Sequence, residues 1–220
     1  MSGVSAKAFL GELDADNKLA LARIEVMSKG TGEDAQLSVP RLLKLALKNE
    51  LEAAEIAAVW LVDTAELDVK LALMRQCGDE ARHFRLITER LAALAIDTTA
   101  LDPRSGGPTE LFVWLKSLTT TVERVAAGQF TREALAVVRN QVFIDFCEAS
   151  GDDTTAALYR DVIQPDEQHH HELGRKLLGR YAVDVKSRDL ARAASKKTLE
   201  LAEEIQEIAR LKGVVCVPGC

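Results

Sequence analysis

Asp79-Glu80-Ala81-Arg82-His83 and Asp166-Glu167-Gln168-His169-His170 are two copies of one pattern, D-E-x-x-H. With the adjoining His171 they take in all four histidines of the chain. On a helix, residues three apart share a face, with Cβ atoms about 5–6 Å from each other. Each copy therefore offers one carboxylate and one imidazole to the same point. Two such helices face to face offer two of each, a set suited to a pair of transition-metal ions. A helix bundle completes a site of this kind with one further Glu from each of two more helices. The pattern thus predicts an all-α four-helix bundle and says where the remaining acids must lie.

Composition agrees. Of 220 residues 47% are hydrophobic, enough for one large domain with a substantial core, and 13 Gly with 5 Pro leave little room for turns. Ala, Leu, Glu, Lys and Arg favour helix over strand, and no segment shows convincing period-2 alternation. The net charge of −6 and the lack of a long basic run argue against nonspecific nucleic-acid binding. No run of about 18 uncharged apolar residues predicts a membrane span, and residues 1–7 lack the pattern of a secretory signal. The expected compartment is the cytoplasm. Cys77 and Cys147 lie in apolar helical patterns and read as small buried hydrophobes. Cys216 and Cys220 fall in a short tail and read as free thiols on a frayed end; no zinc-ribbon spacing is present.

Periodicity divides the chain into an N-terminal helical extension (1–38), a bundle (39–182) and a C-terminal helix with its Cys-containing tail (183–220), within one domain. The extension holds a helix over about 5–28 and then a breaker stretch, 28–38. Pro40 suits the first turn of a long helix ending near Val62. A second long helix, about 66–95, carries the first motif. Residues 97–108 form the clearest loop, the place for a long crossover, and a crossover helix follows over 109–127. Gly128 is read as an interruption. The third core helix runs 131–149. Asp153 is placed as the N-cap of the fourth, which reaches about Tyr181 and carries the second motif. A last helix spans about 187–212, with Glu200, Glu203 and Glu207 on a face predicted to be exposed.

The turns locate the missing acids, because residues equidistant from an antiparallel turn lie at one level. Glu80 lies 15 residues after a turn centred near Ala65, and its level partner is Glu50. Glu167 lies 17 residues after a turn near Ser150, and its partner is Glu133. The 87-residue spacing from Glu80 to Glu167, added to Glu50, instead points one turn further on, to Val137. Glu133 also falls near the predicted helix start, where acids complement the dipole. Asn140 and Gln141, polar and mid-helix, are the alternatives.

Glu50, Glu80-x-x-His83, Glu133 and Glu167-x-x-His170 together resemble the ferritin-like di-iron carboxylate superfamily, over about residues 40–180. The resemblance implies a ferritin-like four-helix bundle with one long crossover and added N- and C-terminal helices. It implies Glu80 and Glu167 as bridging ligands, Glu50 and Glu133 as terminal ones, and His83 and His170 as one cap per metal. It also implies that Asp79 orients His170 and Asp166 orients His83, each fixing a tautomer. The implied cofactor is two Fe ions, and this ligand set also suits Mn or Zn. The implied activity is reduction of O₂ or peroxide by a small hydroxylase, monooxygenase or oxidase acting on an unknown substrate. The doubled motif and extra helices look most like the tRNA-modifying di-iron hydroxylases. Such an enzyme leaves room for an external electron donor and for a homodimer.

Other readings stand beside this one. The same bundle could handle or store iron or manganese, or detoxify peroxide, without an organic substrate, or it could be a non-enzymatic binding module. Buried Glu and His could form a metal-free polar network, although four buried carboxylates without cations are costly. His171, four residues after Glu167, is the alternative ligand to His170. Arg82 and Arg85 read as solvated or paired charges, Glu52 as surface, and Trp60 and Trp114 as core fillers. Pro165 either kinks the fourth helix beside the ligands or marks a helix start.

Overall fold

In the computed structural model, residues 5–28, 37–211 and 218–219 are described, and among them there is no strand. Helix α1 (Ala6–Ser28) precedes α2 (Val39–Asp63), whose Pro40 occupies the first turn, where a missing N–H costs nothing. The Thr64 amide and hydroxyl both donate to the Trp60 carbonyl (3.1 and 2.8 Å) and close α2. Three residues later α3 (Leu67–Ala93) starts, and the two run back along each other as an antiparallel hairpin. After the 94–109 connection come α4 (Glu110–Ser117) and α5 (Thr121–Val125). Helix α5 passes through a π-helical stretch, Ala126–Arg132, straight into α6 (Glu133–Ala149). A turn at Gly151 (φ +74°) leads to α7 (Asp153–Leu158), a second π stretch (Tyr159–Ile163) and α8 (Gln164–Tyr181). Helix α6 packs on α8 as the second hairpin, α3 meets α8, α9 (Val185–Leu211) packs against the π stretch after α5, and α1 lies on α9, α6 and α8. No helix among the described residues is long and apolar enough to cross a membrane.

The third core helix begins at Thr121, not at 131. Thr120 and Glu123 form a reciprocal capping box, side chain to backbone in both directions. Thr120-Thr-Val-Glu123 is the S/T-x-x-E signature of a helix start. Gly128 does not interrupt the helix. A Cβ there would lie 2.7 Å from Trp60 Cζ3, so the glycine admits the indole against the backbone. Trp60 is buried, with Nε1 donating to the Leu115 carbonyl (3.3 Å). Glu133 accordingly stands deep inside a continuous helical run, not at a helix end. The N-cap after the second turn is Asp152, which accepts from the Thr155 amide (3.0 Å), and Asp153 is the first helical residue. Pro165 falls in the first turn after the second π stretch, which takes up the backbone disturbance without ending the helical run. The 29–36 portion of the breaker stretch, Cys216 and Cys220 lie outside the described residues.

Two large clusters make up most of the apolar interior among the described residues. One, around Trp60, Leu73, Phe130 and Leu178, takes the end of α2, the start of α3 and the end of α8. The other, around Leu43, Ile87, Phe143 and Tyr159, takes the opposite ends. Residues 50, 80, 83, 133, 167 and 170 fall between the two in every helix, and all are buried. A polar knot, in which Asn17, Thr131 and Ser195 hydrogen-bond one another at 2.7–3.2 Å, ties α1 and α9 to the π stretch.

Candidate metal centre

Each hairpin contributes one acid from its first helix and an acid–imidazole pair from its second. The helical pitch puts Glu80 and His83 on one face of α3, and Glu167 and His170 on one face of α8. The ligand atoms fall into two groups, each with its members within 4.8 Å of one another. Glu50, Glu80, His83 and Glu167 make the first, and Glu80, Glu133, Glu167 and His170 the second. Glu80 and Glu167 belong to both. Their two oxygens are divided between the imidazoles. Glu80 turns Oε2 to His83 Nδ1 (3.1 Å) and Oε1 to His170 Nδ1 (3.5 Å). Glu167 turns Oε1 to His83 Nδ1 (3.7 Å) and Oε2 to His170 Nδ1 (3.6 Å). Glu50 faces His83 alone (3.4 Å) and Glu133 faces His170 alone (3.6 Å).

Both imidazoles present Nδ1 inward and Nε2 outward. Nε2 of His83 lies 3.1 Å from Asp166 Oδ2, and Nε2 of His170 lies 3.0 Å from Asp79 Oδ2. Each aspartate belongs to the helix opposite its histidine, so the pair of contacts laces α3 to α8. An arginine holds each aspartate in turn: Arg75 bonds Asp79 (3.2 Å), and Arg82 bonds Asp166. The His170 contact, with Arg75 behind it, holds the Asp79 carboxyl down at about 2.

Burial and crowding act strongly on the charges of this cluster. Burial drives Glu80 up to about 7 against the pull of the His83 hydrogen bond, and repulsion from Glu133 and Glu50 adds to the rise. Glu167 stands well above the ordinary carboxylate range, through burial and repulsion from Glu80 and Glu133. Glu133 goes the other way, to about 2: burial opposes its charge, but His170, Glu167 and Arg132 outweigh it. Burial alone would lower both imidazoles, yet the surrounding carboxylates hold both far above neutral. In the protein alone, protons thus take the place of positive charge. Even so, both oxygens of Glu50, Oε1 of Glu80 and Nδ1 of His170 make no hydrogen bond. Such atoms cost about 1–3 kcal/mol each when left unmade. A donor set of four carboxylates and two imidazoles, with inward atoms unsatisfied, fits a pair of hard or borderline divalent cations.

His171 is not part of this cluster. Its Nδ1 lies 2.6 Å from the Phe130 carbonyl and its ring stacks on Phe130 at 4.9 Å. Val137, the position suggested by the internal spacing, contributes only its carbonyl, to Gln164 Nε2 (3.0 Å). Gln141 bonds Asp145 on the exposed side of α6. Glu52 is buried, in contrast to its sequence reading: its carboxylate accepts from the amide (2.9 Å) and hydroxyl of Thr109 and anchors the start of α4. Cys147 is fully buried, whereas Cys77 is only partly so.

Two buried glutamines, each one turn from an acid of the cluster, escaped the sequence reading. Gln76 is buried and donates to Glu133 Oε1 (2.5 Å), holding the carboxylate on which the second hairpin depends. It sits one turn before Glu80 on the same face of α3, a spacing that would have found it. Gln129, one turn before Glu133, is also buried, in the π stretch, and neither of its amide atoms makes a hydrogen bond.

No family model matches this chain, and no curated protein matches it significantly.

Proposed function

We propose that this chain is a di-metal carboxylate oxidoreductase on a ferritin-like four-helix bundle, a small hydroxylase or oxidase that uses two iron ions. The observation that carries the reading is the division of Glu80 and Glu167, one oxygen toward each histidine, with Glu50 and Glu133 each serving one side. That is the disposition two bridging and two terminal carboxylates require. Two hairpins joined by the long 94–120 connection support the ferritin-like architecture. Manganese or zinc would find the same donors suitable.

Glu50 and His83 would hold one ion and Glu133 and His170 the other, with Glu80 and Glu167 shared. An iron pair there supplies two-electron reduction of O₂ or peroxide. The protein's own contribution is placement and insulation. Asp79 and Asp166 accept hydrogen bonds from Nε2–H, which would leave each Nδ1 facing inward as the ligand atom. Gln76 fixes the rotation of Glu133. The apolar clusters on either side exclude water from the charged layer, so that its electrostatic interactions stay strong.

Metal analysis of purified protein tests the first step, and two metals per chain are expected. Anaerobic Fe(II) protein should then consume O₂ with a transient near-ultraviolet or visible band. Fewer than two metals per chain would defeat the di-metal reading. Two metals without O₂ or peroxide consumption would defeat the oxidoreductase reading and favour metal handling.

A further inference from the structure

The peptide unit between Pro218 and Gly219 is gripped from both edges beside the metal centre. Asn49 Nδ2, on α2, donates to the Pro218 carbonyl (2.9 Å). Asn140 Oδ1, on α6, accepts from the Gly219 amide (2.8 Å). A trans peptide points its C=O and N–H in opposite directions, so two asparagines on different helices can clamp one unit between them. Asn49 is half-buried. Asn140 is fully buried, and Asn49 directly precedes Glu50. Gly219 has φ +85°, and a Cβ on it would lie 2.8 Å from Glu50 Oε1 and 3.3 Å from Asn49 Cβ. The glycine is therefore required twice, by its backbone angle and by its closeness to the carboxylate. A cavity of about 60 Å³, lined in part by Asn49, Arg132, Arg139 and Gln206, shares Asn49 with the clamp.

We propose that Pro218–Gly219 is a plug: it fills the approach to Glu50 between α2 and α6, and a small molecule reaches that side of the centre only when the asparagine clamp releases it. This rests on the di-metal reading for its purpose but not for its geometry. The clamp holds one peptide by two hydrogen bonds, far less than the bundle itself, and so opens without unfolding. When it opens, Glu50 becomes the ligand exposed to an incoming molecule, while Glu133, on the other side, stays covered by Gln76.

The test labels Glu50 in the metal-free full chain by carbodiimide-driven amidation with glycine ethyl ester, read by mass spectrometry. Gly219→Val, which cannot keep the glycine's position, and Asn49→Ala, which removes one clamp bond and no Cβ contact in the core, should each speed Glu50 labelling. The expected factor is roughly tenfold, the scale on which losing a hydrogen bond shifts a local opening. Gly106→Val, at another positive φ with nothing within 4 Å, should leave it unchanged. Unchanged Glu50 labelling in Asn49→Ala and in a folded Gly219→Val overturns the plug. Equal acceleration by Gly106→Val also overturns it. Metal stoichiometry is measured separately: faster labelling in a protein that binds no metal sinks the di-metal reading and leaves the plug standing. Two metals with unchanged labelling does the reverse.

Discussion

Glu80 shows how a candidate ligand and a stabilising residue differ. It is fully buried, repelled by two neighbouring carboxylates, and one of its oxygens makes no hydrogen bond. In the metal-free protein its charge opposes folding. Glu80→Gln keeps the shape and removes the charge. It should therefore stabilise the protein in EDTA by about 1–3 kcal/mol, because a buried charge without its cation is a liability. The same substitution should cost most of the metal. Paired thermal melts with and without Fe(II) check both halves; a Glu80→Gln protein less stable than wild type in EDTA would mean that the carboxylate is a structural partner of His83. Glu50 and Glu80 were legible from sequence because the first hairpin is regular, so counting from its turn puts them level. Glu133 was harder. A π stretch lies between the turn and Glu167, where residues accrue faster than axial rise, and the 87-residue repeat drifts to Val137.

Helix ends and helix contacts carry the second set of expectations. Asp152 caps α7 and also takes Arg90 Nη2 (2.6 Å), and it stands below the ordinary aspartate range despite its burial, held there by Thr155 and Arg90. A carboxyl depressed in the folded state stabilises above its unfolded pKa of about 3.9, and that stability is lost as pH falls through the folded value. Asp152→Asn should accordingly be less stable than wild type at pH 7, with the gap closing below about pH 4. Urea melts across that range read it, and a gap independent of pH would assign the effect to the cap hydrogen bond alone. Two glycines make a sharper pair. A Cβ at Gly174 would lie 2.6 Å from the Gln129 carbonyl carbon and 2.7 Å from the Phe130 nitrogen, backbone that cannot step aside. Gly174→Ala should destabilise by about 1–3 kcal/mol through overpacking. Gly78, mid-helix in α3 with nothing within 4 Å, should gain about 0.5–1 kcal/mol as Ala. Periodicity could find both helices, but it could not separate these glycines, because the difference lies in what faces them across the bundle. The same blindness made Gly128 look like a break when it is a seat for Trp60.

For the molecule as a whole, the charged layer divides the interior, with an apolar cluster on either side and six ionisable groups between. The all-helical class and this layer were readable from the doubled motif, since periodicity and composition agreed with it. The wrapping of α1 and α9 was not, because their contacts join residues some 180 positions apart, such as Arg23 to Glu203 and Arg192 to Glu12. A layer that must be neutralised couples stability to cation binding. At a free metal concentration a hundredfold above Kd, each site adds about 2.7 kcal/mol to the folded state. For a chain of this size 1 kcal/mol is worth about 2–4 °C in Tm, so filling both sites should raise Tm by about 10–20 °C. The shift should follow metal added up to two equivalents and then level, and EDTA should reverse it. Amide exchange should slow most where α2, α3, α6 and α8 carry the six residues, and least in α1 and α9, which carry none of them. A shift confined to α1 or α9, or one that keeps growing past two equivalents, would place the cation on the acidic surface and leave the buried layer to its protons.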